Sequence, residues 1–206
     1  TGVFRLVPDV GCEYSERVIS AKEECLKFHI PGAGNSYSFR AESHRLRHLA
    51  DITYSDGKLI ITGIFMHGIM TSLGDVPIEN VSASTDGMNY LTAFSPSVTS
   101  EDLVLVDNKF RAGVREGNFA YAKHAVPKLN TTYAIRSVAY RGKVIRSAAG
   151  VRYNELDYDK RRDSLIAFRI VEMNDVDGLT IVWKKLSENE SPRIKMPEKE
   201  NRKSPV

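Results

Sequence analysis

Residues 163–186 read DSLIAFRIVEMNDVDGLTIVWKKL, and the fold turns on how this stretch is read. Two runs rich in β-branched and aromatic residues flank an Asn/Asp/Gly cluster at 174–178, the pattern of a β-hairpin. With that cluster as the loop, Met173 faces Leu179, Val171 faces Ile181 and Arg169 faces Trp183. This register gathers Leu165, Ala167, Val171, Met173, Leu179, Ile181 and Trp183 on one side, and a one-residue slip would scatter them. Ile166, Phe168 and Ile170 make the first strand apolar on its other side as well. It is therefore expected to be covered on both faces and to have neighbours in a sheet. In this register Arg169 packs on Trp183 as a cation–π pair worth about 0.5–2 kcal/mol.

The earlier chain supplies the neighbours. Residues 3–7, VFRLV, read as a strand closed by Pro8 and Asp9. Residues 15–30 carry a capping-box pattern at Ser20 and Glu23, but the alternation of 25–30 before Pro31-Gly32 favours a strand. Residues 36–42, SYSFRAE, give another around Phe39. Asp56-Gly57 marks a second hairpin, with 49–54 leading in and 58–66 leading out. Gly63 and Gly68 point to a bulge or bend where a sheet curls. Residues 78–81 read as an edge strand after Val76-Pro77, and 103–110 and 119–124 as further strands. Residues 130–140 alternate cleanly between two faces. About ten short strands with little helix indicate an antiparallel β-sandwich, or a closed or partly open barrel, with one or two short helices allowed. Residues 1–186 form one β-rich domain on this reading, with a possible subdomain junction in the loop-rich 84–102. Residues 187–206, rich in proline and charge, form a disordered tail or linker.

The chain has 206 residues, enough to bury a sizeable core, and its 42% apolar and 27% charged residues are ordinary for a globular domain. Its longest apolar run, LIITGIFMHGIM, is about half a membrane span, so no transmembrane segment is expected. No signal-like segment opens the chain, so a targeting peptide has been removed or was never present. Net charge is +3, with acids and bases mixed along the sequence, which argues against nucleic acid as a partner. Cys12 and Cys25 would close one short loop in an oxidising compartment, worth about 3 kcal/mol by loop entropy. Asn80, Asn130 and Asn189 head N-x-S/T sequons. Together these lean towards an extracellular or secretory-pathway glycoprotein with a disulfide, the cytoplasm being the alternative.

Several groups of residues are candidates for chemistry. His67, in the apolar FMHGIM, is the ionisable side chain best placed for burial; a satisfied histidine is its ordinary role, and a general base paired with Asp75 the sharper one. Glu155, Asp157 and Asp159 alternate, so an extended chain would point three carboxylates one way, as calcium requires. The cations at 160–162 follow at once and make a solvated charged segment the simpler account. The Asp-rich loop at 174–178 lacks the downstream glutamate of a calcium loop and is explained as a turn. His44 and His48 are spaced as metal ligands only on a helix; on a strand they lie about 13 Å apart. Gly32-Ala33-Gly34 is a lone GxG without a following helix, and Ser95, Ser97 and Ser100 sit in no nucleophile elbow. Arg40, Arg45, Arg47, Arg136, Arg141, Arg146 and Arg152 alternate with aromatic residues, either as the solvent side of a sheet or as a basic face for an acidic partner.

No catalytic constellation is readable, and no cofactor is implied. The leading expectation is a non-catalytic binding module whose loops at 31–37, 84–102 and 112–118 meet a protein or glycan. The first alternative is a β-barrel holding an apolar small ligand among Phe65, Met66, Phe168 and Trp183. The second is a hydrolase using His67.

Overall fold

The computed structural model describes residues 1–8, 34–174 and 178–195. The strand of the opening hairpin, β13 (Arg162–Asn174), pairs antiparallel with β14 (Gly178–Glu190) on one side and with β10 (Thr132–Ala139) on the other. Further strands extend this into a seven-stranded antiparallel sheet. It continues to the edge strand β1 (Gly2–Leu6) beside β14 and, beyond β10, through β6 (Met66–Gly74) and β8 (Phe119–Ala122) to the other edge, β7 (Val114–Glu116). A second antiparallel sheet has the order β3 (Ser43–His44), β2 (Ser36–Ser38), β4 (Ile52–Ser55), β5 (Lys58–Ile61), β9 (His124–Ala125). The Asp56-Gly57 turn closes β4 on β5 with both residues at positive φ, as the two-residue hairpin requires.

The two sheets form a sandwich. Tyr37, Ile52 and Leu59 of the smaller sheet, with Phe39 just after β2, meet Tyr133, Ile135, Ile166, Phe168, Ile181 and Trp183 of the larger one in a shared core. The opposite face of the larger sheet offers Ile69, Ala134 and Leu165, which are covered by α1 (Asn89–Ala93) and α2 (Ser100–Ala112) through Leu91 and Phe110. β13 is thus buried on both faces, as its doubly apolar pattern demands. No barrel closes, and the fold is β-rich with antiparallel sheets and two α-helices among the described residues.

The register of the hairpin differs from the simple alternation. Met173 does face Leu179, but a bulge at Val171 then shifts the pairing, so that Ile170 faces Ile181 and Phe168 faces Trp183. The extra residue turns the bulkier set Ile166, Phe168 and Ile170 into the inter-sheet core and leaves Val171 exposed. Arg169 then lies opposite Val182, away from Trp183, and donates instead to Asp75 and to the Val76 carbonyl. Both faces of the strand were apolar, so the pattern alone did not say which set turns inward.

Three other elements depart from expectation. Residues 103–110 are helical, inside α2: the Thr99 hydroxyl accepts from the Asp102 N–H as an N-cap. Val106 and Phe110 face the core while Val104 and Leu105 stand out in solvent, a helical rather than an alternating pattern. Residues 78–80 form a single 3-10 turn in place of an edge strand. The chain stays ordered beyond Leu186: β14 runs to Glu190, and Arg193 and Lys195 bridge to Arg141 and Thr99. A short separate hairpin, β11 (Ile145–Ala148) with β12 (Val151–Asn154), projects from the body. The 15–30 segment, the Cys12 and Cys25 pair, and residues 196–206 lie outside the described residues.

Candidate functional site

Four charged side chains meet beneath the crossover that carries the chain from β5 to β6. Arg40, Asp51, Asp159 and Arg161 have side chains only 1–5% exposed. Arg40 pairs with Asp51 and, through Nη2 at 2.8 Å, with Asp159; Arg161 reaches Asp159 through Nη1 at 2.7 Å. Asp51 also accepts from the hydroxyls of Ser38 and Ser137. Burial pulls the Arg40 pKa down, but Asp51 and Asp159 outweigh it and hold the guanidinium firmly charged. Burial, with repulsion from Arg40, lowers that of Arg161, which a guanidinium tolerates while staying protonated. Two cations and two anions make a neutral buried set, with nearly every donor satisfied, as such burial requires.

This set holds a strained turn. Arg161 donates through Nε to the Tyr140 carbonyl, and through Nη2 to the carbonyls of Ile64 (2.8 Å) and Phe65 (2.7 Å). The Tyr140 N–H also donates to the Phe65 carbonyl. Phe65 sits at φ +48, and the residue is 36% exposed. A bulky residue in that conformation costs about 1–3 kcal/mol and persists where its surroundings over-determine it. Gly63, at φ +119, makes the preceding bend; a Cβ there would sit 2.8 Å from the Ala50 carbonyl oxygen.

Phe65 forms one wall of an open pocket of about 470 Å³. Met66 and His67 continue that wall, while Leu103, Val104, Asp107, Asn108 and Arg111 of α2 face them; Lys123, Tyr140 and Ile194 complete it. The helix residues 104, 107, 108 and 111 share one face by helical spacing. The pocket therefore combines an apolar half, Phe65, Leu103, Val104 and Ile194, with a polar half. In the polar half Asp107 accepts from Lys123 (2.5 Å) and from Arg111 Nε (2.6 Å). Burial raises the Asp107 pKa, but those two cations more than offset it and keep the carboxylate ionised. The Asn108 amide has no partner among the described residues.

His67 lines this pocket but is itself engaged. Its Nδ1 meets the Tyr140 hydroxyl at 3.2 Å. Burial pushes its pKa below the ordinary histidine value, partly opposed by Asp107 and reinforced by Lys123, so the ring is neutral at pH 7. Burial likewise raises the Tyr140 pKa, keeping the phenol protonated. Asp75 lies past the far end of β6, about 26 Å along the strand, and pairs with Arg169. The two residues considered for a base and its carboxylate are therefore not brought together.

The other sequence candidates fall elsewhere. Phe65 and Met66 line the pocket, whereas Phe168 and Trp183 pack with Phe39 in the inter-sheet core. Residues 155–158 form a 3-10 turn, so the three carboxylates do not align. Glu155 takes His48 (2.9 Å) and Arg146 (3.0 Å), Asp157 takes the Asn154 amide, and Asp159 belongs to the buried set. No cluster of three metal-ligating side chains occurs among the described residues. His44 contacts the Ser36 carbonyl. Gly34 and Asn35 are buried and bonded to β1 and β4, which removes them from any presented loop. Ser97 caps the start of α2 through Asp102. Asn80, Asn130 and Asn189 are all exposed. Arg40 and Arg161, read from the sequence as surface cations, are buried, and the residues that sequence reasoning missed are Asp51, Asp107, Asn108, Arg111, Lys123 and Tyr140. The Asp107/Arg111 spacing of four was the available signal, and it has meaning only on a helix. The chain matches no protein-family model, no curated protein and no solved structure, and its site is read from its own geometry.

Proposed function

We propose that this protein is a non-catalytic binding module that takes a glycan in the pocket between α2 and the Phe65 turn. The observation that carries the reading is the exposed, strained Phe65 ring, held by a buried ion set opposite a polar rim. A sugar presents C–H faces and hydroxyl edges. An exposed aromatic ring and Val104 suit the former; Asn108, Arg111, Lys123 and Asp107 offer the donors and acceptors that suit the latter. The separation of His67 from Asp75, which pairs with Arg169 past the far end of β6, supports binding over a hydrolytic role, because the base and its carboxylate are not brought together. Exposed sequons fit residence in the secretory pathway, where glycans would add mass at Asn80, Asn130 and Asn189.

The test is a glycan array probed with the intact chain and with Val104→Glu, which places a charge on an exposed pocket-lining position. Saturable binding to a defined glycan class, lost in Val104→Glu with an unchanged melting curve, is expected. Equal binding by both proteins would exclude the pocket. A second reading, a small apolar ligand, draws on Leu103, Val104 and Ile194. It predicts a co-purifying organic molecule in native mass spectrometry and no glycan signal.

A further inference from the structure

On the other side of the wall formed by residues 140–141 and 193–194 lies a second cleft of about 340 Å³. Tyr140 and Ile194 face the pocket described above, and their neighbours Arg141 and Arg193 face this cleft. Arg141 and Arg193 are bridge partners in parallel pairing, which sets two guanidinium side chains side by side. Like charges placed so repel each other. Lys160, Arg161 and Arg162 add three more cations, against Asp157 and Asp159.

Arg161 and Asp159 belong to the neutral buried set, so they cancel each other here. What remains is Arg141, Lys160, Arg162 and Arg193 facing Asp157, whose carboxylate is already bonded to the Asn154 amide. Glu190, across the strand from Arg162, reaches only Arg141, at 3.6 Å and with its side chain 77% exposed. The side chains of Lys160, Arg162 and Arg193 have no hydrogen-bond or ion-pair partner among the described residues. Such a gathering of unpaired cations is uncommon in a chain whose net charge is only +3, and it costs self-repulsion that a bound anion would remove.

We propose that this cleft binds a tetrahedral oxyanion, a phosphate or sulfate group, carried on a sugar-sized body. Planar guanidinium forks match the oxygens of such groups two at a time, and three arginines around one cleft supply several forks. The cleft volume exceeds what a bare ion fills and falls at the small end of ligand pockets, which is why a carrier of sugar size is inferred. This site does not depend on the glycan reading of the first pocket.

The test uses the full chain labelled with 15N, titrated with sodium sulfate, sodium phosphate and galactose 6-sulfate, each against sodium chloride at equal ionic strength. The arginine Nε–H signals of Arg141, Arg162 and Arg193 are expected to shift saturably with the oxyanions and not with chloride. Binding is expected to weaken about tenfold or more in the double variant Arg162→Gln/Arg193→Gln. It should stay unchanged in Arg115→Gln, an exposed arginine on β7. Tighter binding of galactose 6-sulfate than of sulfate would identify an ester on a carrier as the ligand. Equal affinities would identify the free ion and overturn the carrier. Equal shifts with chloride, or shifts mapping away from these arginines, would overturn the site even if the double variant failed to fold.

Discussion

Arg40 is one guanidinium among many in the sequence, yet its side chain is 1% exposed and is shared between two aspartates. Removing one member of such a set strands a buried charge, so Asp159→Asn is expected to cost about 3–5 kcal/mol in urea unfolding. Arg161 would at the same time lose the partner that aims it at the Phe65 carbonyl. His67 carries the pH dependence. Its folded pKa lies below its unfolded value near 6.5, so the unfolded chain takes up the proton first as pH falls. The stability it contributes is complete above about pH 6.5 and is lost as pH drops through the folded value. Thermal melts are therefore expected to fall more steeply between pH 7 and pH 5 in the wild type than in His67→Gln. None of these roles was legible in sequence except the burial of His67, because each depends on partners tens of residues away.

The elements most legible were those whose signal is local. The Asp56-Gly57 hairpin and the strand at β10 follow from turn chemistry and alternation, and β13 from apolar residues on both faces. What local pattern could not decide was a choice between two apolar faces, and there the Val171 bulge set the register. α2 was hidden for a different reason. LVLV looks like a buried strand, but Val104 and Leu105 are exposed, and only the Thr99 cap and the spacing of 103, 106 and 110 mark the helix. Phe110→Ala is expected to destabilise by about 3–5 kcal/mol and Thr99→Ala by about 1 kcal/mol. Leu105→Ser should fall within about 0.5 kcal/mol of wild type. Equilibrium denaturation of the three variants checks this; a cost for Leu105→Ser close to that of Phe110→Ala would contradict the exposure of Leu105 on the helix.

At the scale of the whole molecule, the sheets and the helices do different work. The inter-sheet core fixes the scaffold, and the crossover between sheets leaves a turn held by Arg161 of the buried ion set together with backbone hydrogen bonds to Ile64 and Phe65. The class of fold was legible because many short β-patterns left few alternatives. The site was not, because its walls come from α2, the start of β6, Lys123, Tyr140 after β10 and Ile194 after β14, which only tertiary packing brings together. On the proposed function, Phe65 is kept in a strained conformation for binding rather than for folding. Phe65→Gly suits the positive φ and removes the ring, so the two roles separate in one variant. Binding of the array-identified glycan and thermal stability should be measured on that protein side by side. Stability within about 1 kcal/mol of wild type and a loss of affinity of about tenfold or more are expected. Retained affinity, or a collapse in stability, would contradict this role of Phe65.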